Sequence, residues 1–176
     1  HPRVRRQRQM CIRDRYRIKY SAVRNVFIVS TALAINNTWE EILTDYQIDF
    51  YRIRKREDIK RVQKGQIVLL TVNLLTDLKR EMKKLVRIRC QKVMLIFDES
   101  DTISNGSSKR TKAMLSVFRK CRYKVLATGT MTRNNVVEAA PQLELLYNNS
   151  IHYLAKNEWI FRFRNGQMEK YANPFF

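Results

Sequence analysis

The chain is poor in the residues that build metal sites and covalent cross-links. It has three cysteines and two histidines in 176 residues, and Cys11, Cys90 and Cys121 are too far apart for a metal-ligand motif or a disulfide framework. No apolar run reaches the length of a membrane span, and nothing resembles a secretory leader. These absences argue against a histidine-based metal site, a disulfide-stabilised domain and a membrane protein. They predict a protein of the reducing cytoplasm.

Acidic residues are also few, since 16 Asp and Glu stand against 35 Lys and Arg, and the formal net charge is +19. Residues 1–24 contribute +8 of this charge, and the remaining residues keep +11. Such a surplus favours a polyanionic partner, of which nucleic acid is the simplest. Three basic clusters (52–58, 79–84 and 109–112) are most simply solvated helix faces, but they leave room for a surface that follows phosphates.

Short apolar runs alternate with amphipathic segments from Val26 onward. This order predicts an α/β fold in which a mainly parallel sheet lies between two layers of helices. The predicted strands are 26–30, 48–53 (nearer an edge), 66–72, 93–97 and 123–128. The first predicted helix begins at a capping box of Thr38 with Glu41. The second covers 55–64 and is closed by Gly65, and the third begins at Asn73. The fourth covers 107–121, and the fifth extends to about Tyr147 with a weak point at Pro141.

Both ends of the chain depart from this pattern. Residues 1–15 have no apolar period and resemble translated sequencing-adapter sequence, so we predict a non-native or disordered basic segment, with a nucleic-acid-binding arm as the alternative. Residues 16–150 are predicted to be the α/β domain. Residues 151–176 are predicted to begin an insertion or linker, with a hairpin over 159–172 that turns at Asn165–Gly166. We expect a piece of a larger protein, truncated at both ends.

The most apolar strand runs directly into acids, in the stretch VMLIFDESD (93–101). Asp98 and Glu99 therefore stand at the carboxyl end of a strand, where parallel sheets bind ligands. Such a pair can hold Mg²⁺ and activate a water molecule, although an ordinary acidic turn explains it equally well. One helix later Thr128–Gly129–Thr130 ends the next strand, and a right-handed crossover would set the two strand ends side by side. A plain Ser/Thr/Gly turn is the alternative for this second motif.

LIFDESD, followed by LATGT, resembles motifs II and III of superfamily 2 helicases and translocases, most closely the DEAD-like and Swi/Snf-type ATPases. VFIVSTALAINNTWEEI is similar to motif Ia of that group, and IVLLTVNLL is similar to motif Ib. The resemblance covers about residues 20–150, with Met131 standing where the family often has proline. It implies a RecA-like three-layer sandwich in a motor that uses ATP and Mg²⁺ to move on nucleic acid, DNA being favoured over RNA.

Carried over by position, the resemblance also implies residue roles. Asp98 and Glu99 would be catalytic, Asp98 as the Mg²⁺ ligand and Glu99 as the base. Ordinary strand-end hydroxyls are the alternative for the implied nucleic-acid contacts, and for Trp39 a core anchor is favoured over a base-stacking platform. The nucleotide-side residues would be Asp101, Thr128, Gly129 and Thr130, and the nucleic-acid contacts would be Ser30, Thr31 and Thr71.

None of the four glycines is followed by lysine, so these residues hold no G-x-x-x-x-G-K-[ST] phosphate loop. We expect that loop, and the second RecA-like domain with its arginine finger, to belong to the parent chain, and the fragment alone to hydrolyse ATP negligibly. One alternative is a non-catalytic nucleic-acid-binding module with a degenerate nucleotide site. Another is a phospho-receiver domain, which would need an acidic pair where Ser30 and Thr31 stand.

Overall fold

The fold was analysed in a computed structural model, which describes residues 23–89, 92–132, 136–150, 159–164 and 167–172. Within these ranges the chain forms a five-stranded parallel sheet in the order β2-β3-β1-β4-β5 and a separate antiparallel hairpin of β6 and β7. The strands are β1 (Asn25–Ser30), β2 (Phe50–Arg52), β3 (Ile67–Thr71), β4 (Val93–Asp98), β5 (Tyr123–Ala127), β6 (Trp159–Arg164) and β7 (Gln167–Ala172).

The helices connect the strands of the parallel sheet as crossovers. They are α1 (Ala32–Ala34), a π-helical segment (Ile35–Trp39), α2 (Glu40–Asp45), α3 (Asp58–Arg61), α4 (Val72–Asp77), α5 (Lys79–Arg89), a first 3₁₀ turn (Ser100–Ile103), α6 (Lys109–Phe118), a second 3₁₀ turn (Val136–Ala139) and α7 (Ala140–Leu146). None of the helices in the described ranges is long and apolar enough to cross a membrane.

Both faces of the sheet are covered, because the central strands are apolar at nearly every position. On one face Phe27, Val68 and Leu95 pack with residues of α4 to α7, and the rings of Phe27 and Phe118 lie 5.8 Å apart. On the other face, alternate strand residues pack against Ile35, Trp39 and Leu43. A strand buried on both faces must be apolar without alternation, which is the pattern that predicted this fold. The predicted α/β class, with its parallel sheet between helix layers, is confirmed.

All five predicted strands are present, although β2 covers Phe50–Arg52 instead of the predicted 48–53, and two predicted helix starts were wrong. The helical region after β1 begins at Ala32, because the Thr31 hydroxyl accepts a hydrogen bond from Ala34 N–H. Thr38 therefore lies inside the π-helical segment and caps nothing. After β3 the N-cap is Thr71, whose hydroxyl accepts from Leu74 N–H, two residues before the predicted Asn73. In both cases the last residue of the strand region supplies the cap.

Two predicted helix boundaries also need correction. The polar helix ends at Arg61, and Gly65 instead adopts a φ of 89° in the turn that leads into β3, a left-handed conformation that glycine adopts without strain. Pro141 lies in the first turn of α7, where a missing N–H costs no hydrogen bond, so it starts a helix rather than weakening one. The predicted hairpin is present as β6 and β7, and its Asn165–Gly166 turn lies outside the described residues.

Candidate nucleotide site

The carboxyl ends of four strands meet at one edge of the parallel sheet. Register pairs Ser30 with Thr71 on one side of β1 and Val29 with Phe97 on the other, so Ser30 stands beside Asp98. Asp98 in turn pairs with Ala127, so the Thr128–Thr130 turn begins next to the acids. The geometry that the two sequence motifs require is therefore present, since both motifs end adjacent strands at the same edge.

Asp98 is held in a fixed position by a residue of the neighbouring strand β1 and by a tryptophan that packs on the same face of the sheet. Asp98 is 8% exposed. Oδ2 accepts a hydrogen bond from the indole Nε1 of Trp39 at 2.9 Å and a longer one from Ser30 Oγ at 3.5 Å. Trp39 is itself 1% exposed and belongs to the core, so a buried side chain orients the Asp98 carboxylate. Hydrogen bonds to an ionised acceptor are stronger than neutral ones, and this pair fixes the carboxylate orientation.

Glu99 follows Asp98 in an unusual backbone conformation. Its φ is +53° and its ψ is 50°, in the left-handed region, and its side chain is exposed. For an L-residue other than glycine this conformation costs about 1–2 kcal/mol. Strain of this kind is typical of sites where the surrounding structure imposes a side-chain direction. Here Glu99 follows the end of β4 and leads the chain into the first 3₁₀ turn. Its side chain therefore points in a different direction from that of Asp98.

This strain can be measured by comparing glycine and alanine at position 99. Both variants lose the carboxylate, but only glycine adopts a positive φ without cost. We therefore expect Glu99→Gly to be more stable than Glu99→Ala by about 1 kcal/mol in urea unfolding. The matched control is Lys84, an exposed residue within α5, where the glycine variant should be the less stable of the two. The same order at both positions would show that position 99 is not strained.

A buried glutamine connects the acid turn to the threonine turn. Gln142, on α7, is 2% exposed. Its Oε1 accepts a hydrogen bond from Ser100 Oγ at 2.8 Å, and its Nε2 donates to the carbonyl oxygen of Met131 at 2.9 Å. Ser100 directly follows Glu99, and Met131 directly follows Thr130. One side chain therefore fixes the spacing of the two turns, and sequence reasoning did not identify it.

The threonine turn is closed on itself rather than bonded to the acids. Thr128 Oγ1 donates to the carbonyl oxygen of Thr130 at 2.9 Å and accepts from the Thr130 N–H at 3.2 Å. Gly129 and Thr130 are exposed. In this arrangement the Thr128 hydroxyl shapes the loop, and the exposed Thr130 is the residue of the turn with its side chain open to solvent.

The remaining predicted site residues lie along the same edge in different environments. Asp101 is 7% exposed, within the first 3₁₀ turn. Ser30 is fully buried and faces Asp98, which favours a role beside the acid over contact with an external phosphate. Thr31 and Thr71 are half-buried, and each uses its hydroxyl to cap a helix.

The donor set fits a cation that arrives with a nucleotide better than a resident metal. Among the residues that the structure describes, no group of three or more His, Cys, Asp or Glu side chains could enclose a metal. Mg²⁺ needs no such cage, because it is commonly held by one or two carboxylates together with substrate phosphates. Asp98 Oδ2 is committed to Trp39 and Ser30, and no described residue donates to Oδ1. Oδ1 is therefore the oxygen through which Asp98 could coordinate Mg²⁺ or accept a hydrogen bond from its bound water.

Comparison with known proteins identifies the family of the chain. The sequence matches the family model of the SNF2-related domain over residues 10–170. The chain belongs to the SNF2-related family. The family match and the α/β fold together confirm the predicted resemblance to superfamily 2 motors of the Swi/Snf type. A search of curated protein sequences gives no match.

The fold of this SNF2-related chain is also found among solved structures. It resembles the Sulfolobus solfataricus SWI2/SNF2 ATPase core, solved in complex with dsDNA, with a TM-score of 0.55 and 21% identity over 77% of this chain. At that identity the similarity establishes the RecA-like fold. The chain covers 27% of the length of that relative.

Proposed function

We propose that the chain is part of an ATP-dependent motor of the Snf2 type that acts on double-stranded DNA. The observation that carries the proposal is the shared edge of β4 and β5, where Asp98 and Glu99 stand beside the Thr128–Thr130 turn. Family membership and the net charge of +11 that remains outside residues 1–24 support it. The Sulfolobus solfataricus relative was solved with dsDNA, which favours DNA over RNA as the polyanion.

The side chains divide the chemistry between them. Asp98 would hold Mg²⁺, usually through water, and the bound cation neutralises charge on the nucleotide phosphates. Trp39 keeps the Asp98 carboxylate in one orientation, so that little reorganisation is needed when charge develops. Glu99 is exposed at the adjoining position and would accept a proton from the attacking water at its carboxylate. Gln142 transmits any shift of the acid turn to the threonine turn, because it is bonded to both.

Movement of the motor along DNA would then depend on several residues at the carboxyl edge of the sheet. Thr31 and Thr71 cap helices at that edge and are the positions that the resemblance assigns to nucleic-acid phosphates. Thr130 would sense the nucleotide phosphate, a role supported by its exposed side chain in the turn that begins next to the acids. In this scheme Asp101 belongs to the nucleotide side, within the 3₁₀ turn that follows the acids.

The experiment that tests this proposal compares two proteins. The 176-residue chain alone should hydrolyse ATP negligibly, because its sequence contains no phosphate loop. A longer protein that includes such a loop should hydrolyse ATP with Mg²⁺ at a rate that duplex DNA increases. Steady-state phosphate release measures both. Robust turnover by the 176 residues alone would contradict the expectation that hydrolysis needs the phosphate loop. DNA binding by the longer protein without any ATP turnover would favour a non-catalytic binding module instead.

A further inference from the structure

Two basic clusters that are separate in the sequence each contribute a residue to one groove, Lys83 from 79–84 and Lys112 from 109–112. The clusters at 79–84 and 109–112 belong to α5 and α6, which pack side by side. Between them lies a groove of about 580 Å³. Its cationic residues are Lys83 and Arg87 on α5, Lys112 on α6, and Arg119 and Lys120 just after α6.

The charge in this groove is almost entirely uncompensated. No acidic residue lines it. Arg119 pairs with Glu144 at 3.2 Å, but in the described part of the chain none of the other four cations has an ion-pair partner. Residues that merely solvate a helix face are commonly interspersed with acids at i,i+4 spacing. Here the cations face each other across a cleft, which concentrates positive potential instead of neutralising it.

The groove is distinct from the candidate nucleotide site. α6 begins after the acid turn of β4 and ends before β5, so it runs from the carboxyl edge of the sheet back to the amino edge. Arg119 and Lys120 precede β5 and therefore lie towards the amino edge, whereas Asp98 stands at the carboxyl edge. None of the residues given a role by the family resemblance lines the groove.

The spacing of the cations suits a chain of phosphates. Lys83 and Arg87 are four residues apart on one helix, or about 6 Å along its axis. Lys112 and Ser116, a cation and a hydroxyl donor, are likewise about 6 Å apart along the facing helix, and Lys120 follows the end of that helix. Packed helix axes lie roughly 8–10 Å apart, so the two rows can flank one sugar–phosphate strand.

The composition of the groove favours nucleic acid over a protein partner. Protein interfaces are enriched in aromatic residues and depleted in lysine at their centres. This groove has three lysines and no aromatic lining residue. Its apolar lining residues are the two aliphatic side chains of Leu115 and Val117, whereas five lysine and arginine residues in one groove are typical of contacts with the phosphate backbone.

We propose that the groove between α5 and α6 is a second nucleic-acid-binding surface, which holds the sugar–phosphate backbone independently of the nucleotide edge. This surface would let the domain remain on DNA whatever the state of its nucleotide site. The ligand is the sugar–phosphate backbone, which duplex and single-stranded DNA both contain. The experiment therefore compares binding of these two forms of DNA.

The test measures DNA binding by the 176-residue chain without nucleotide. Fluorescein-labelled duplex DNA and the corresponding single strand are titrated by fluorescence anisotropy over a series of NaCl concentrations. The variant is Arg87→Gln with Lys112→Gln, one substitution on each wall. The matched control is Lys60→Gln with Arg61→Gln, which removes the same charge from exposed positions on α3.

We expect the groove variant to reduce the slope of log K against log[salt] by about 2, because each lost phosphate contact lowers it by roughly 1. Affinity at moderate salt should fall roughly tenfold, while the control stays near wild type. The DNA form that shows the larger loss is the preferred ligand. If the double variant does not fold, Lys83→Gln and Lys120→Gln alone should each lower the slope by about 1.

Equal slopes for the groove variant and the control would overturn this inference, as would a wild-type chain that binds neither DNA form. Equal slopes would also be the result if the groove held an acidic protein segment. The proposed motor function is tested separately, because DNA-free ATP turnover by the longer protein does not depend on Arg87 or Lys112.

Discussion

Replacement of Asp98 by asparagine should lower Mg²⁺-dependent ATP turnover of the longer motor protein by at least about a hundredfold. The asparagine side chain has the same shape, and its amide oxygen can still accept the Trp39 indole N–H that Asp98 accepts at 2.9 Å. The substitution therefore removes charge without removing the contact that holds the side chain. Loss of turnover would then report the missing negative charge at the cation position rather than a collapsed site.

The control for this variant is Asp77→Asn, which changes an exposed carboxylate at the end of α4. It should leave turnover near wild type, and both variants should bind duplex DNA like the wild type. ATP turnover can be followed by phosphate release over a range of Mg²⁺ concentrations. If Asp98→Asn retained a tenth or more of wild-type turnover at saturating Mg²⁺, Asp98 would not be the metal carboxylate.

The largest effect on stability is expected at Trp39. Trp39→Ala removes the largest fully buried side chain of the described core and should lower the free energy of unfolding by about 3–5 kcal/mol. Trp39→Phe keeps most of the apolar volume but loses the indole N–H, which leaves the buried Asp98 carboxylate without its shorter hydrogen bond. We expect that variant to lose about 1.5–3 kcal/mol. Urea unfolding followed by circular dichroism gives both values without relying on tryptophan fluorescence.

A double-mutant cycle separates the hydrogen bond from the packing. In the background of Asp98→Ala, Trp39→Phe should cost clearly less than it does in the wild type, because no charged acceptor remains to be left unpaired. Equal costs in the two backgrounds would mean that Trp39 contributes only apolar volume. The contact would then play no part in orienting the acid.

The sequence predicts those features of the fold that depend on local pattern. β1, β3 and β4 were recognisable because strands buried on both faces are apolar at successive positions. Asp98 and Glu99 were recognisable because acids directly after such a strand must lie at its carboxyl end. The crossover rule then placed Thr128 beside them. These steps need only neighbouring residues and one topological rule.

What could not be predicted depends on contacts between distant residues. Trp39 and Asp98 are 59 positions apart, and Ser100 and Gln142 are 42 apart. A signal for the second pair exists, because Gln142 stands three residues from the apolar Ala139 and Leu145 on either side. A polar side chain on a buried helix face needs a partner, but the identity of that partner is set by tertiary packing. The π-helical segment is likewise not encoded by any cap or period, which is why Thr38 was misread as a helix start.

The same distinction applies to the basic clusters. Each cluster resembles a solvated helix face when read alone, and only the packing of α5 against α6 brings Lys83 and Lys112 to one groove. Charge content is a property of sequence, whereas the concentration of charge in a cleft is a property of the fold.

The most direct test of the nucleotide site is a crystal structure of the longer protein with Mn²⁺ and a non-hydrolysable ATP analogue. Anomalous scattering from Mn²⁺ locates the metal without reference to any assumed role. We predict an anomalous peak beside Asp98 Oδ1, with the terminal phosphate between Glu99 and Thr130. A metal and nucleotide bound elsewhere, with Asp98 still bonded only to Trp39 and Ser30, would contradict the assignment of this edge of the sheet.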